Sequence, residues 1–142
     1  MSESTRNLTR PTPEETLQIL EKLSPYAWQV RENAIVLGRT RVGCAVISES
    51  GKIFSGCNIE HRFRCHDIHA EINALTTMVA GGEKTAKVVL IAAERSRFTP
   101  CGGCMDWIME LGGKDTVVAF QDSPHGKFHI FKASELMPNY PE

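Results

Sequence analysis

Residues 68–113 read IHAEINALTTMVAGGEKTAKVVLIAAERSRFTPCGGCMDWIMELGG, and this stretch decides the fold. From Ile68, the residues Ile72, Leu75 and Val79 recur at helical spacing, and the pattern stops at Gly81-Gly82. Val88 to Ala92 is continuously apolar, as a strand covered on both faces must be. Pro100 opens another helix, which carries Trp107, Ile108 and Leu111 and is closed by Gly112-Gly113. Helix, buried strand and helix in succession are the unit of a layered α/β fold.

Working outward, Val42 to Ile47 reads as a strand, Glu49-Ser50-Gly51 as a turn and Lys52 to Ser55 as the returning strand of a hairpin. Asn58 to Asp67 is polar and has no period, so it reads as a loop. Near the start, Thr12 is an N-cap candidate with Pro13 as first helical residue and Glu15 closing a capping box. Leu17, Leu20 and Leu23 supply the apolar stripe of that helix. Ser24-Pro25 repeats the start signal, because a mid-helix proline forfeits a hydrogen bond. A separate helix is therefore expected from Pro25 to about Leu37, ending at Gly38. Downstream, Thr116 to Phe120 and Lys127 to Phe131 read as strands and Ser134 to Met137 as a last helical turn. Five strands alternating with helices predict a three-layer α-β-α sandwich around one mixed five-stranded sheet. With no repeat or linker, one domain is expected over residues 13–142, after a flexible arm over residues 1–12.

Composition narrows the function. The 142 residues carry a formal net charge of −1, so no basic field for nucleic acid or anionic lipid is present. No apolar run approaches the roughly 20 residues of a membrane span. Met1 to Arg10 is polar and lacks the apolar segment of a secretory signal. Five cysteines are an odd number, and Cys101 and Cys104 have metal-ligand spacing. That is thiol usage for a metal in a reducing cytoplasm rather than a disulfide framework. Cys44, Cys57 and Cys65 read as small buried hydrophobes. His61 and His66 lack ligand spacing, and His125 and His129 read as surface residues.

His69-Ala70-Glu71 and Pro100-Cys101-Gly102-Gly103-Cys104 together match the H-x-E…P-C-x-x-C signature of zinc-dependent cytosine and adenine deaminases. Both segments fall at expected helix N-termini, where the partial positive charge favours thiolates. Cys101 and Cys104, three apart, share one helix face. His69, Cys101 and Cys104 are three ligands for one Zn2+ per chain, which leaves a fourth position for water, as in a catalytic site. Zinc held so acidifies water to a pKa near ~7. Glu71, diverging from His69, is the candidate proton shuttle, from water to ring nitrogen and then to the leaving amine. A lone Cys-x-x-Cys also suits structural zinc or redox work; the His-x-Glu in this order and the preceding proline argue against that.

From Ser24 to Pro138 the chain resembles a cytidine deaminase of the small, single-domain type. The resemblance rests on Val42-Gly43, on the run from Gly51 through Phe54, Cys57 and Asn58 to Glu60, on Ala70-Glu71, on Pro100 to Cys104 and on Glu135 to Pro138. It implies that Asn58 and Glu60 bind the ribose 3′-hydroxyl and that Phe54 packs on the pyrimidine side of the pocket. It implies that the Ala70 N–H meets the pyrimidine carbonyl and the Thr99 carbonyl the amino group. It also implies a homotetramer with shared active sites, in which Tyr140 lies near where the family has a Phe covering a neighbour's site. The activity implied is hydrolytic deamination of cytidine or deoxycytidine to the uracil nucleoside and ammonia, in pyrimidine salvage.

Departures bear on substrate. Small members usually have Cys at the position of His69 and Arg after Glu71, where this chain has Ile72. Zinc with two thiolates and a neutral imidazole carries no net charge, so that Arg is dispensable. Thr40 replaces an aromatic, and His61-Arg62-Phe63-Arg64 replaces a run of small residues and Tyr. Arg62 and Arg64 are therefore candidates to meet a phosphate or carboxylate. The alternatives this leaves are a deaminase of a blasticidin S-type aminopyrimidine nucleoside, a deaminase of a cytosine substrate bearing an acidic group, and, outside enzymes, a structural zinc protein.

Overall fold

Side chains alternate across β-strands, and here that alternation divides the core in two. In the computed structural model, which describes residues 10–141, β1 (Gly43–Ser48) turns Cys44 and Val46 to one face and Ala45 and Ile47 to the other. β3 (Ala86–Ala92) splits Val89 and Ile91 from Val88, Leu90 and Ala92 in the same way. β4 (Val117–Gln121) splits Val118 and Phe120 from Ala119. With β2 (Ile53–Cys57) and β5 (His129–Lys132) the sheet runs β2-β1-β3-β4-β5. β3 and β4 are parallel and the other neighbours antiparallel, so the sheet is mixed. β3, between β1 and β4 and covered on both faces, is the continuously apolar strand of the sequence.

The two faces acquire different helices. α1 (Pro13–Arg31) lays Leu20, Leu23, Ala27 and Trp28 on the side of Ala45 and Leu90. α2 (Ala70–Ala80) and α3 (Gly102–Leu111) cover the other side with Ala74, Leu75, Met78, Met105, Ile108 and Met109. α4 (Ala133–Leu136) follows β5 directly. This is the α-β-α sandwich that the alternation of elements predicts. Two glycines let the layers approach. A Cβ on Gly43 would stand 1.9 Å from the Ala27 carbonyl oxygen of α1, and one on Gly56 would stand 2.5 Å from the Ala74 nitrogen of α2.

Pro25 does not start a new helix. α1 runs unbroken through it and stops at Arg31, short of the expected end near Leu37. Its buried residues Thr16, Leu20, Leu23, Ser24, Ala27 and Trp28 keep helical period across the proline. Pro25 and Glu21, whose carbonyl loses its donor, both lie on the exposed side, where water replaces the bond. The buried Gln121 side chain of β4 then fastens this helix: Ser24 Oγ and Trp28 Nε1 both donate to its Oε1, at 2.7 and 2.8 Å.

The thiols divide as well. Cys44 and Cys57 are buried as expected, but Cys65 is exposed, because it sits in a single 3₁₀ turn (Arg64–His66) on the surface. His129 stacks on Phe120 with ring centroids 4.4 Å apart and is half-buried rather than a surface residue. The flexible arm expected over residues 1–12 lies outside the described residues up to residue 9; Arg10 pairs with Asp115 at 2.6 Å. No helix among the described residues is long and apolar enough to cross a membrane.

Candidate active site

Two helix N-termini converge on the C-terminal end of β3. His69 is the N-cap of α2 and Cys101 the N-cap of α3, and neither side chain accepts a hydrogen bond from its own helix. Each is therefore free to face the other, with both helix dipoles presenting their positive ends. Cys104, one turn into α3, completes the group. His69 Nδ1 lies 3.3 Å from Cys104 Sγ and 3.5 Å from Cys101 Sγ, and all three donor atoms fall within 4.8 Å of one another. A tetrahedral zinc with bonds of about 2.1 Å to nitrogen and about 2.3 Å to sulfur requires N···S edges of about 3.6 Å. The donor set fits that ion. Among the described residues no other group of three His, Cys, Asp or Glu donors converges in this way.

The electrostatics point the same way. Burial, reinforced by the Glu71 carboxyl and the Cys101 thiol beside it, pushes the Cys104 thiol far above its ordinary value. A divalent cation among these donors reverses that demand and holds both sulfurs as thiolates. Glu71, in the first turn of α2, is only 6% exposed. Burial raises its carboxyl pKa, against smaller lowering contributions from its own backbone N–H, the Cys104 thiol and His69. A carboxyl buried beside the donor set, with its proton affinity raised, is placed to take and return a proton.

Beside the donors opens a cavity of about 260 Å³. Its lining includes His69, Ala70, Glu71, Thr99 and Cys101 together with Asn58, Glu60 and Arg64. Asn58 closes β2 against the segment before β1: its Oδ1 accepts from Val42 N at 2.8 Å and its Nδ2 donates to the Thr40 carbonyl at 2.9 Å. Glu60 Oε1 accepts from Leu37 N at 2.7 Å and Gly38 N at 2.9 Å. Those two N–H groups, Gly38 first and then Leu37, with a smaller contribution from Arg64, hold the Glu60 carboxyl below its ordinary pKa.

Three other residues marked in the sequence lie away from the cavity. Phe54 is a correction: its ring covers Gly81, at the C-terminal end of α2, opposite the end that carries His69. It precedes Asn58 by four positions, roughly 13 Å along an extended chain, and so cannot reach the same wall. Arg62 lies over the Phe63 ring, 5.0 Å from its centroid, and does not line the cavity. Tyr140 hydrogen-bonds to Asp106 of α3 in its own chain and packs at the edge of the core. In the opposite direction, Val42, Asp67, Ile68 and Phe98 line the cavity without having been marked as site residues, and so does Thr40, which the sequence marked only as a departure that bears on substrate. Of the four unmarked residues only Phe98 carried a usable signal, as a lone aromatic in a polar loop next to the Pro-Cys motif.

Comparison with known proteins agrees with this geometry. The family model for the cytidine and deoxycytidylate deaminase zinc-binding region matches residues 17–120. A cytidine deaminase from Halalkalibacterium halodurans is 32% identical over 120 residues, which is 83% of this chain and 90% of that one. A probable cytidine deaminase from Dictyostelium discoideum is 37% identical over 84 residues, which is 58% of this chain and 57% of that one. Among solved structures, the crystal structure of cytidine deaminase from Burkholderia pseudomallei superposes with a TM-score of 0.75 at 27% identity, covering 83% of this chain and 95% of that chain.

Proposed function

Because the chain belongs to the cytidine and deoxycytidylate deaminase family, and so is a zinc-dependent deaminase, we propose that it hydrolyses a free cytosine nucleoside, cytidine or deoxycytidine, to the uracil nucleoside and ammonia. The observation that carries this reading is the single cavity that joins the His69–Cys101–Cys104 donors and buried Glu71 to Asn58 and Glu60. When bound, zinc supplies the Lewis acidity that lets water attack a ring carbon at neutral pH. The water oxygen bonds to C4, the C4–N4 bond breaks, and ammonia leaves. Glu71 takes one proton from the attacking water and delivers it to the ring nitrogen, then takes the remaining proton of the new C4 hydroxyl and delivers it to the departing amine. The Ala70 N–H and the Thr99 carbonyl, both at the cavity wall, orient the pyrimidine through its carbonyl and amino group. Asn58 and Glu60 take the sugar.

The reading is tested with cytidine, deoxycytidine, cytidine monophosphate and blasticidin S, followed by the absorbance change on deamination. The first two are the expected substrates. Turnover of blasticidin S or the monophosphate alone would replace this reading with one of the rival deaminases. The acidic-substrate rival gains nothing from Arg62, which lies outside the cavity, and little from Arg64, which already pairs with Glu60 and Asp67.

We also propose a homo-oligomer, a tetramer as in the small members of the family. Ile35 and Leu37, 58% and 60% exposed, lie with exposed Phe63 and Ile68 beside the cavity mouth, where isolated bridges join Ile35 to Ile59 and Ile59 to Ile68. Such a grouping is the material of an interface. A monomeric mass by light scattering would reject the assembly. A cytoplasmic place in nucleoside salvage rests on the same reading and on five cysteines that form no disulfide.

A further inference from the structure

Among the described residues Arg64 is the one arginine on the cavity wall, and its guanidinium is already engaged. Its Nε donates to Asp67 Oδ2 at 2.9 Å, and its Nη2 stands 3.4 Å from Glu60 Oε2. Asp67 is fixed in turn, because its Oδ1 accepts the His61 N–H at 2.7 Å. Glu60 is fixed at its other end by the Leu37 and Gly38 N–H groups on Oε1. The carboxylate thus has one oxygen filled by the backbone and one touched by a single donor, so Oε2, in a residue that lines the cavity, keeps a lone pair for a further donor. Arg64 belongs to a chain of contacts running from the His61 backbone through Asp67 to Glu60. All three of the charged side chains line the cavity.

The charge count matters as much as the geometry. Glu60 and Asp67 bring two negative charges to this wall and Arg64 one positive, so the wall remains net negative. A phosphate placed beside Oε2 would meet two carboxylates and a guanidinium that is already shared. A sugar hydroxyl placed there is a donor, which is what an ionised carboxylate requires.

We infer that Arg64 and Asp67 form a positioning pair that aims the free oxygen of Glu60 at a sugar hydroxyl, so that the cavity takes an uncharged nucleoside and turns a nucleotide away. Arg64 does not itself bind substrate. The inference rests on the cytosine nucleoside reading above and adds its specificity.

The experiment measures kcat and KM of the zinc-loaded wild type, Arg64→Ala and Asp67→Asn with cytidine, 2′,3′-dideoxycytidine and cytidine monophosphate. Both side chains sit on an exposed loop, and a thermal melt of each variant reports its folding. The wild type should prefer cytidine to the monophosphate by at least about 100-fold. Arg64→Ala should raise KM for cytidine on the order of 10-fold, the size of one hydrogen bond to a charged group, with kcat falling by less than about threefold. It should cost dideoxycytidine far less, since that substrate has no hydroxyl for Glu60. Asp67→Asn should act in the same direction, and the double variant should be little worse than Arg64→Ala alone. Equal losses on cytidine and dideoxycytidine would overturn the positioning role, as would additive effects in the double variant. A wild type that favours the monophosphate, with that preference lost in Arg64→Ala, would make Arg64 a phosphate ligand and overturn the inference while leaving the deaminase reading intact. No turnover of any of the three by zinc-loaded wild type would overturn both.

Discussion

Replacing Asn58 by alanine should loosen the entry to β1 and the adjoining wall of the cavity together. The side chain is 8% exposed and both its polar ends are used, one on the Val42 N–H and one on the Thr40 carbonyl. Alanine leaves the Val42 N–H unpaired in a residue only 5% exposed, which costs about 1–3 kcal/mol. The Thr40 carbonyl, in a half-buried residue, recovers part of its bond from water, so its loss adds about 0.5–1 kcal/mol. The total is about 1.5–4 kcal/mol, or a melting temperature lower by roughly 5–12 °C for a domain of this size. Asn58→Asp separates the two contacts. It keeps an acceptor for Val42 but sets a carboxylate oxygen against the Thr40 carbonyl in place of an N–H donor. Protonation restores the donor, so the introduced carboxyl has a raised folded pKa. The folded state then binds more protons than the unfolded one, and the variant gains stability relative to wild type as pH falls from 7 toward 4.5. Thermal melts and urea titrations across that range, with zinc content and KM for cytidine, make the assay. Zinc content should hold, because Asn58 touches none of the metal donors, while KM rises. An Asn58→Ala melting temperature within 2 °C of wild type and an unchanged KM would refute the reasoning, since the buried N–H would then have a partner other than this side chain.

Glu71→Gln should retain fold and zinc and lose at least about 10²–10⁴-fold in turnover, since an amide cannot carry the protons; a tenth of the wild-type rate remaining would place the proton shuttle elsewhere. Metal analysis of natively purified protein should give one zinc per chain, and chelation should abolish activity while the circular dichroism of the helices persists, because the core between α1 and the sheet contains no ligand. Gly43→Ala puts a Cβ 1.9 Å from the Ala27 carbonyl oxygen, a backbone atom that cannot yield without moving α1, and should lower stability by at least about 2 kcal/mol in urea titration. The Glu60 carboxyl, held below its ordinary pKa in the folded state, contributes stability that is complete above the unfolded value of about 4.3 and is lost as pH falls through the lower folded value. Hydrogen exchange of the Leu37 and Gly38 amides should therefore stay protected from pH 7 to 5 and fail only in stronger acid; loss of protection between pH 7 and 5 would mean that another group anchors that loop.

The metal donors were legible in the sequence because their geometry is local. Cys101 and Cys104 share a face wherever a helix starts after Pro100, and His69 and Glu71 diverge wherever one starts after Ile68. The strands were legible where the sheet covers them fully, as in Val88 to Ala92, or where the turn at Gly51 returns them. Pro25 was misleading because its penalty depends on which side of the helix it occupies. That is set by the sheet on which Leu23 and Ala27 pack, and the local signal carries no information about it.

The sequence by itself determined the metal donor set, the carboxylate beside it and, apart from the separate helix expected from Pro25, the order of elements. All of these depend on residue chemistry and on spacings within a single turn or element. Only the tertiary structure decided the walls of the cavity. It moved Phe54 to the far end of α2, brought Thr40 and Phe98 to the rim, and joined Arg64 to Glu60 and Asp67. Those placements follow from strand register and from loop contacts made by residues with no periodic relation to one another. An arginine in a loop has the same sequence signature whether it waits for an anion or is already shared between two carboxylates, and only the fold brings the carboxylates to it.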